Sequence, residues 1–139
     1  MDVLTVAGNM ESLKPIRDCV TAAANAGGLD KIKTNRLRLA VDEIASNSIM
    51  HGYEEAGISG NLYVHTEVTD GHVKVVLEDE AGPFDPSKMG TPDHVDLPLG
   101  ERPIGGLGIH LTIQGVDEFS YERAGDRNRT TFVVHRNPT

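Results

Sequence analysis

Three short stretches of this 139-residue sequence hold groups able to do chemistry. In the first, Glu43, Asn47 and His51 recur at i, i+4 and i+8, which on a helix makes one polar stripe beside the apolar face. A carboxylate and a carboxamide one turn apart can present a base and an oxygen ligand to one cleft. Magnesium prefers such hard oxygen donors alongside phosphates and water. A solvated stripe has the same spacing, so the pattern alone does not choose. In the second stretch, Val75-Val76-Leu77-Glu78 runs into Asp79-Glu80-Ala81-Gly82-Pro83-Phe84-Asp85-Pro86. A carboxylate at a strand end beside a glycine can accept a hydrogen bond from a ligand amino group while the backbone passes close to the ligand; an ordinary Asp turn reads the same way. The third, Gly105-Gly106-Leu107-Gly108-Ile109, stands where a long loop enters a helix. Free amides of the first turn and the helix dipole favour an anion there. It is neither the Gly-Lys-Ser/Thr P-loop nor the dinucleotide fingerprint.

These groups need elements to hold them. Met1 to Val6 alternates as a short strand, and Asn9 caps a helix running to about Asn25, with Pro15 as its weak point. Ala26-Gly27-Gly28 breaks the chain. Leu37, Ala40, Val41, Ile44 and Ser48 recur at helical spacing, predicting a second helix from an Asp30 cap to about Tyr53. Asn61 to Val68 and His72 to Leu77 read as a hairpin around Asp70-Gly71. Residues 81–106 hold five of the seven prolines and read as a lid-like loop. Leu107 to Val116 is helical in pattern, and strands at about Glu118–Arg123 and Arg129–Arg136 flank a turn at Ala124-Gly125-Asp126. This order predicts a two-layer α/β sandwich of the α+β kind: one mixed, mostly antiparallel sheet with helices on one face, in a single domain over 1–139.

In this order and spacing, residues 41–53, 79–86 and 105–111 resemble the N, G1 and G2 boxes of the GHKL ATPase and kinase superfamily, which has the Bergerat-type ATP-binding fold. Within it the likeness is to bacterial anti-sigma factor serine/threonine kinases, and Asp117, Tyr121 and Arg127-Asn128 resemble that subgroup's C-terminal hairpin. The resemblance implies ATP and Mg2+ as cofactors. Asn47 would hold the metal through its side-chain oxygen, and Glu43 would orient or deprotonate the attacking hydroxyl. Asp79 would read the adenine amino group and Gly82 would let the nucleotide approach the backbone. Amides around Gly105, Gly106, Leu107 and Gly108 would hold the phosphates. Thr130 would sit near adenine because it shares a strand face with Phe132 and Val134, with Thr131 as the alternative. Extra positive charge could come from Lys88 or Arg102, or these could be solvated loop charges. His51 reads as a structural hydrogen-bonding residue, and His65 and His72 as surface residues. The G1-like segment lacks the second glycine that many members carry two places later. No phosphoacceptor-histidine hairpin precedes the nucleotide module, which argues against a complete two-component histidine kinase.

The implied substrate is an anti-sigma factor antagonist of the STAS type, with a sigma factor as competing partner; the subgroup also suggests a homodimer. A non-catalytic, ATP-dependent partner-switching module fits the same residues, as does an acidic interaction domain without nucleotide. The formal net charge of −8 argues against direct nucleic-acid binding. No apolar run approaches a membrane span, and Cys19 reads as a buried thiol, which together predict a reducing cytoplasm.

Overall fold

The structure, a computed structural model, describes residues 2–83 and 115–136. Its elements are β1 (Asp2–Ala7), α1 (Leu13–Ala26), α2 (Lys31–Asn47), a π-helical segment (Ser48–Glu54), β2 (Asn61–Val68), β3 (His72–Asp79), β4 (Glu118–Ala124) and β5 (Arg127–His135). The strands lie in the order β1-β2-β3-β5-β4, and every pairing among the described residues is antiparallel. Of the lid expected over 81–106 and the helix expected over Leu107–Val116, residues 84–114 lie outside the described residues.

Alternation sorts each strand. Leu62 and Val64 of β2, Val73, Val75 and Leu77 of β3, and Phe132 and Val134 of β5 are buried on the helix-facing side. They meet Ile16, Val20 and Ala24 of α1 and Leu37, Ala40, Val41 and Ile44 of α2, whose spacing of three and four makes one apolar stripe per helix. Helix α1 begins later than Asn9: a 3-10 turn over Met10–Ser12 precedes it, and Asn9 makes no capping bond to a backbone amide. Pro15 thus falls in the first turn of α1, where a missing N–H removes no intrahelical bond. The far end closes as a Schellman motif. Gly28 takes φ +68 while Leu29 N donates to Ala24 O at 3.0 Å and Gly28 N to Asn25 O at 3.0 Å. Asp30 caps α2 as expected, accepting from Lys33 N at 2.8 Å.

Three expectations are corrected. The second helix does not continue unbroken to Tyr53: from Ser48 its bonds lengthen to the i→i+5 pattern, with Glu55 N on Met50 O at 2.9 Å and Ile58 N on Tyr53 O at 3.1 Å. The last strand begins at Arg127 rather than at about Arg129 and so includes Asn128, because the β4–β5 hairpin closes tightly on Gly125-Asp126, with Gly125 at φ +65. Cys19 is half-buried, packed against the core rather than within it.

The π-helical segment is locked by Tyr53. Its buried ring carries a hydroxyl that donates to Asn61 O at 2.8 Å and accepts from Glu80 N at 2.7 Å, joining the starts of β2 and the end of β3. Burial pushes the Tyr53 phenol up to about 12. Across the sheet, the side without helices carries Glu78, buried under a lattice of cations. Arg129 Nε reaches it at 2.8 Å and His65 Nε2 at 2.9 Å, and the Arg127 guanidinium, 3.6 Å away, stacks over the Tyr63 ring at 3.9 Å. Burial pushes this carboxyl up, but the hydrogen bonds from Arg129 and His65 outweigh it and leave it below the usual carboxylate range.

Candidate functional site

Where α2 passes into the π-helical segment above the end of β3, the structure brings together two of the three sequence stretches. A cavity of about 230 Å³ opens there, lined by Asn47, Ser48, His51, Gly52, Ala56, Ile58, Asp79, Ala81, Gly82, Pro83 and Asn128. That volume is below the roughly 300–1,000 Å³ of whole small-molecule sites and suits a single ring system. A larger cavity of about 540 Å³ lies between α1 and the end of β2, with Glu67 as its only charged lining residue among the described residues.

Asp79 is the centre of the polar side. Only 6% exposed, it points from the helix-facing side of β3, and its Oδ1 accepts from Ala81 N at 3.0 Å and Asn128 Nδ2 at 2.8 Å. Its Oδ2 accepts from Ser48 Oγ at 2.9 Å. Three donors fix the carboxylate in orientation, while Oδ2 keeps acceptor capacity towards the cavity. An acceptor held at the wall of a ring-sized cavity selects a ligand that donates there, such as a ring amino group.

Asn128, 4% exposed, faces Asp79 because the two are cross-strand partners. Its Nδ2 also donates to Gly82 O at 2.8 Å, and its Oδ1 accepts from the Tyr121 hydroxyl. Arg123 donates to Ala81 O at 2.7 Å, so β4 and β5 together hold the Ala81-Gly82 backbone in place. At Gly82 an added Cβ would meet no atom of the described residues within 4 Å, which on that side leaves room for a ligand to approach its backbone. Gly52 has the opposite situation: a Cβ there would come within 2.9 Å of Ala81 Cβ, so the helical segment and the post-β3 turn could not pack as they do.

Asn47 is 5% exposed at the end of α2. Its Nδ2 donates to Glu43 O at 2.7 Å and to Glu43 Oε1 at 3.3 Å, so the amide is anchored and Oδ1 accepts nothing from the described residues. A buried carbonyl oxygen without a donor is the observation that makes a hard cation a fitting ligand here. Among the described residues no group of three His, Cys, Asp or Glu could cage a metal. Glu43 is half-buried one turn before Asn47, outside the cavity wall but tied to it through that amide.

The stripe of Glu43, Asn47 and His51 is broken by the change of helix. His51 lines the cavity yet turns Nδ1 to Glu55. Ser48, at the junction of the two helical segments, donates to Asp79. Thr130 is buried on the same face of β5 as Asn128, opposite Leu77 and one row from the cavity wall; Thr131 is on the other face. Gly105, Gly106, Leu107 and Gly108, with Lys88 and Arg102, lie outside the described residues. Ser48 and Asn128 were missed as site residues. The alternation that places Thr130 with Phe132 and Val134 also places Asn128 there, so the signal for Asn128 was present.

Comparison with known proteins gives the family and the fold. Residues 6–134 match the family model of the histidine kinase-like ATPase domain. Serine-protein kinase RsbW of Staphylococcus aureus, in strains MRSA252 and Newman, is 26% identical over 127 residues, covering 88% of this chain and 79% of the relative. The histidine kinase domain of the blue-light activated histidine kinase EL346 from Erythrobacter litoralis superposes with a TM-score of 0.58 at 16% identity. That match covers 91% of this chain, and the chain spans 60% of that structure, a likeness of fold. The match over residues 6–134 spans most of the sequence, and the chain belongs to the histidine kinase-like ATPase domain family.

Proposed function

We propose that this chain is an ATP-dependent protein serine/threonine kinase that phosphorylates an anti-sigma factor antagonist. The observation that carries the nucleotide part is the convergence on one cavity of an oriented Asp79 carboxylate and the unpartnered Asn47 oxygen. The ring-sized cavity takes adenine, with its amino group on Asp79. Asn47 Oδ1 is placed to hold Mg2+, which supplies charge neutralisation for the triphosphate when bound. The amides of Gly105, Gly106, Leu107 and Gly108 are assigned to the phosphates on the family likeness, and Thr130 to the neighbourhood of adenine.

Phosphoryl transfer asks the protein mainly for positioning. Glu43 is assigned as the base: its carboxylate takes the proton of the substrate hydroxyl as that oxygen bonds to the γ-phosphorus and the bond to ADP breaks. The kinase reading is supported by the named serine-protein kinases among its relatives. The sigma factor as competing partner, the homodimer, a single domain over 1–139 and a cytoplasmic location belong to the same proposal; among the described residues no helix is long and apolar enough to cross a membrane.

The test is transfer of labelled phosphate from Mg-ATP to purified STAS-type antagonists, with Glu43→Ala as control. Transfer by the wild type and not by the variant supports the reading; no transfer to any antagonist by a protein that binds ATP would sink it. A second reading, a non-catalytic ATP-dependent partner switch, draws on Glu43 standing outside the cavity wall. It predicts nucleotide-dependent capture of a partner that Glu43→Ala leaves intact.

A further inference from the structure

The outer ridge of α2 differs from the rest of the surface in two independent ways. Ile32, Arg36, Leu39, Glu43, Ser46 and Met50 follow at intervals of four, three, four, three and four, so they form one line on the solvent side of α2 and its π-helical continuation. Ile32 is 64% exposed, Leu39 51% and Met50 37%, which puts three of the seven exposed large apolar side chains among the described residues on this single ridge. Glu43 stands between Leu39 and Met50, one turn from Leu39.

The second difference is charge. Lys31, Arg36 and Arg38 make no ion pair or hydrogen bond through their side chains, whereas the other described cations each have a partner. All three lie in the first half of α2, whose first turn holds no acidic residue, in a chain of net charge −8, and Lys31 in that turn stands against the helix dipole. Neither folding nor capping calls for that arrangement. An acidic partner bearing small apolar side chains does, since it would pair the cations and cover Ile32 and Leu39.

We infer that this ridge is the docking surface for the protein substrate: an acidic protein face seats on Ile32, Arg36 and Leu39 and thereby delivers its acceptor hydroxyl to Glu43. The inference rests on the kinase reading above. The ridge runs roughly 27 Å from Ile32 to Met50 at the usual helical rise, the width of one side of a small domain. Recognition by remote contacts and chemistry at Glu43 are then separate stretches of one helix, so weakening the first changes substrate KM and leaves kcat at saturation, and Mg-ATP affinity, as they were.

The experiment uses the full chain, Mg-ATP and purified STAS-type antagonists, comparing wild type with Arg36→Glu and with the double variant Ile32→Ser, Leu39→Ser. Each variant is expected to raise KM for the antagonist about tenfold, the size of a typical interface anchor. Added salt should raise the wild-type KM more than that of Arg36→Glu. Unchanged KM in both variants, with wild-type transfer intact, overturns the docking surface and leaves the kinase reading standing. No transfer by the wild type to any antagonist overturns both. Wild-type binding to phosphatidylserine–phosphatidylcholine vesicles that both variants abolish, with antagonist KM unmoved, assigns the ridge to a membrane surface instead and overturns the proposal.

Discussion

Replacing Asn128 with Ala tests the clamp that fixes Asp79. The side chain donates to Asp79 Oδ1 at 2.8 Å and to Gly82 O at 2.8 Å and accepts from the Tyr121 hydroxyl. The bond to the buried carboxylate matters most, because a hydrogen bond to a charged group is worth about 1.5–3 kcal/mol and Asp79 has little water to replace it. Gly82 is exposed, so water takes over at its carbonyl, and the Tyr121 bond adds about 0.5–1.5 kcal/mol. The expected loss is about 2–4 kcal/mol. For a chain of this size that lowers the melting temperature by roughly 10 °C. Urea unfolding followed by far-UV circular dichroism would give the free energy, with the m-value unchanged. Calorimetry with Mg-ATP should show affinity falling about tenfold as Asp79 loses its fixed orientation. Stability within about 0.5 kcal/mol of wild type, together with unaltered ATP affinity, would refute the argument that Asn128 positions the carboxylate.

Other outcomes follow from the same structure. Asp79→Asn should abolish measurable Mg-ATP binding in calorimetry while leaving the far-UV spectrum intact, since its amide presents a donor where an acceptor is required. Glu78 has a folded pKa below its unfolded one, so its contribution is present above about pH 4.5 and is lost as pH falls through the lower folded value. Glu78→Gln should therefore flatten the acid limb of a stability-against-pH curve. Tyr53 has a folded pKa of about 12 against 10.0, so its stabilisation is complete below pH 10 and fades as pH rises towards 12. Tyr53→Phe should weaken the alkaline fall in stability, read by urea unfolding across that range. Gly8→Ala would set a Cβ against the Tyr53 ring and 2.8 Å from Gly60 O, and should cost about 1–3 kcal/mol in the same assay.

Much of the fold was legible because periodicity reports burial. The run of Leu37, Ala40, Val41 and Ile44 and the alternation in β2, β3 and β5 each match one buried face. The Asp70-Gly71 and Gly125-Asp126 turns carry their own chemistry, which fixed where the strands meet. What escaped depends on tertiary contact. A π-helix differs from an α-helix by one hydrogen-bond register, and Ser48–Glu54 has no residue that forbids either; Tyr53, pinned to Asn61 and Glu80, selects one. Ser48 read as part of the apolar stripe because its polar partner, Asp79, lies 31 positions away. The last strand was expected from about Arg129, which left Asn128 outside it; its place in β5 follows from the tight closure of the hairpin before it. The burial of Glu78 on the face without helices likewise needed Arg127, Arg129 and His65 to be brought over it from two other strands.

The π-helical segment also separates two kinds of tolerance. Its surplus register amounts to one residue of slack in a continuous helix, and removing one residue from Ser48–Glu54 would let ordinary α-helical bonding run on towards Tyr53. Such a deletion would turn the side chains inside the segment to α-helical directions, while those beyond it, no longer offset by the extra residue, keep theirs. His51 and Gly52 would shift at the cavity wall, while Asn47 and Ser48, whose amide already bonds to Ile44 O, and the apolar stripe of α2 would stay seated. The cavity wall is thus written partly in each of two adjacent lengths of the same rod, and a shift of one position disturbs only the second.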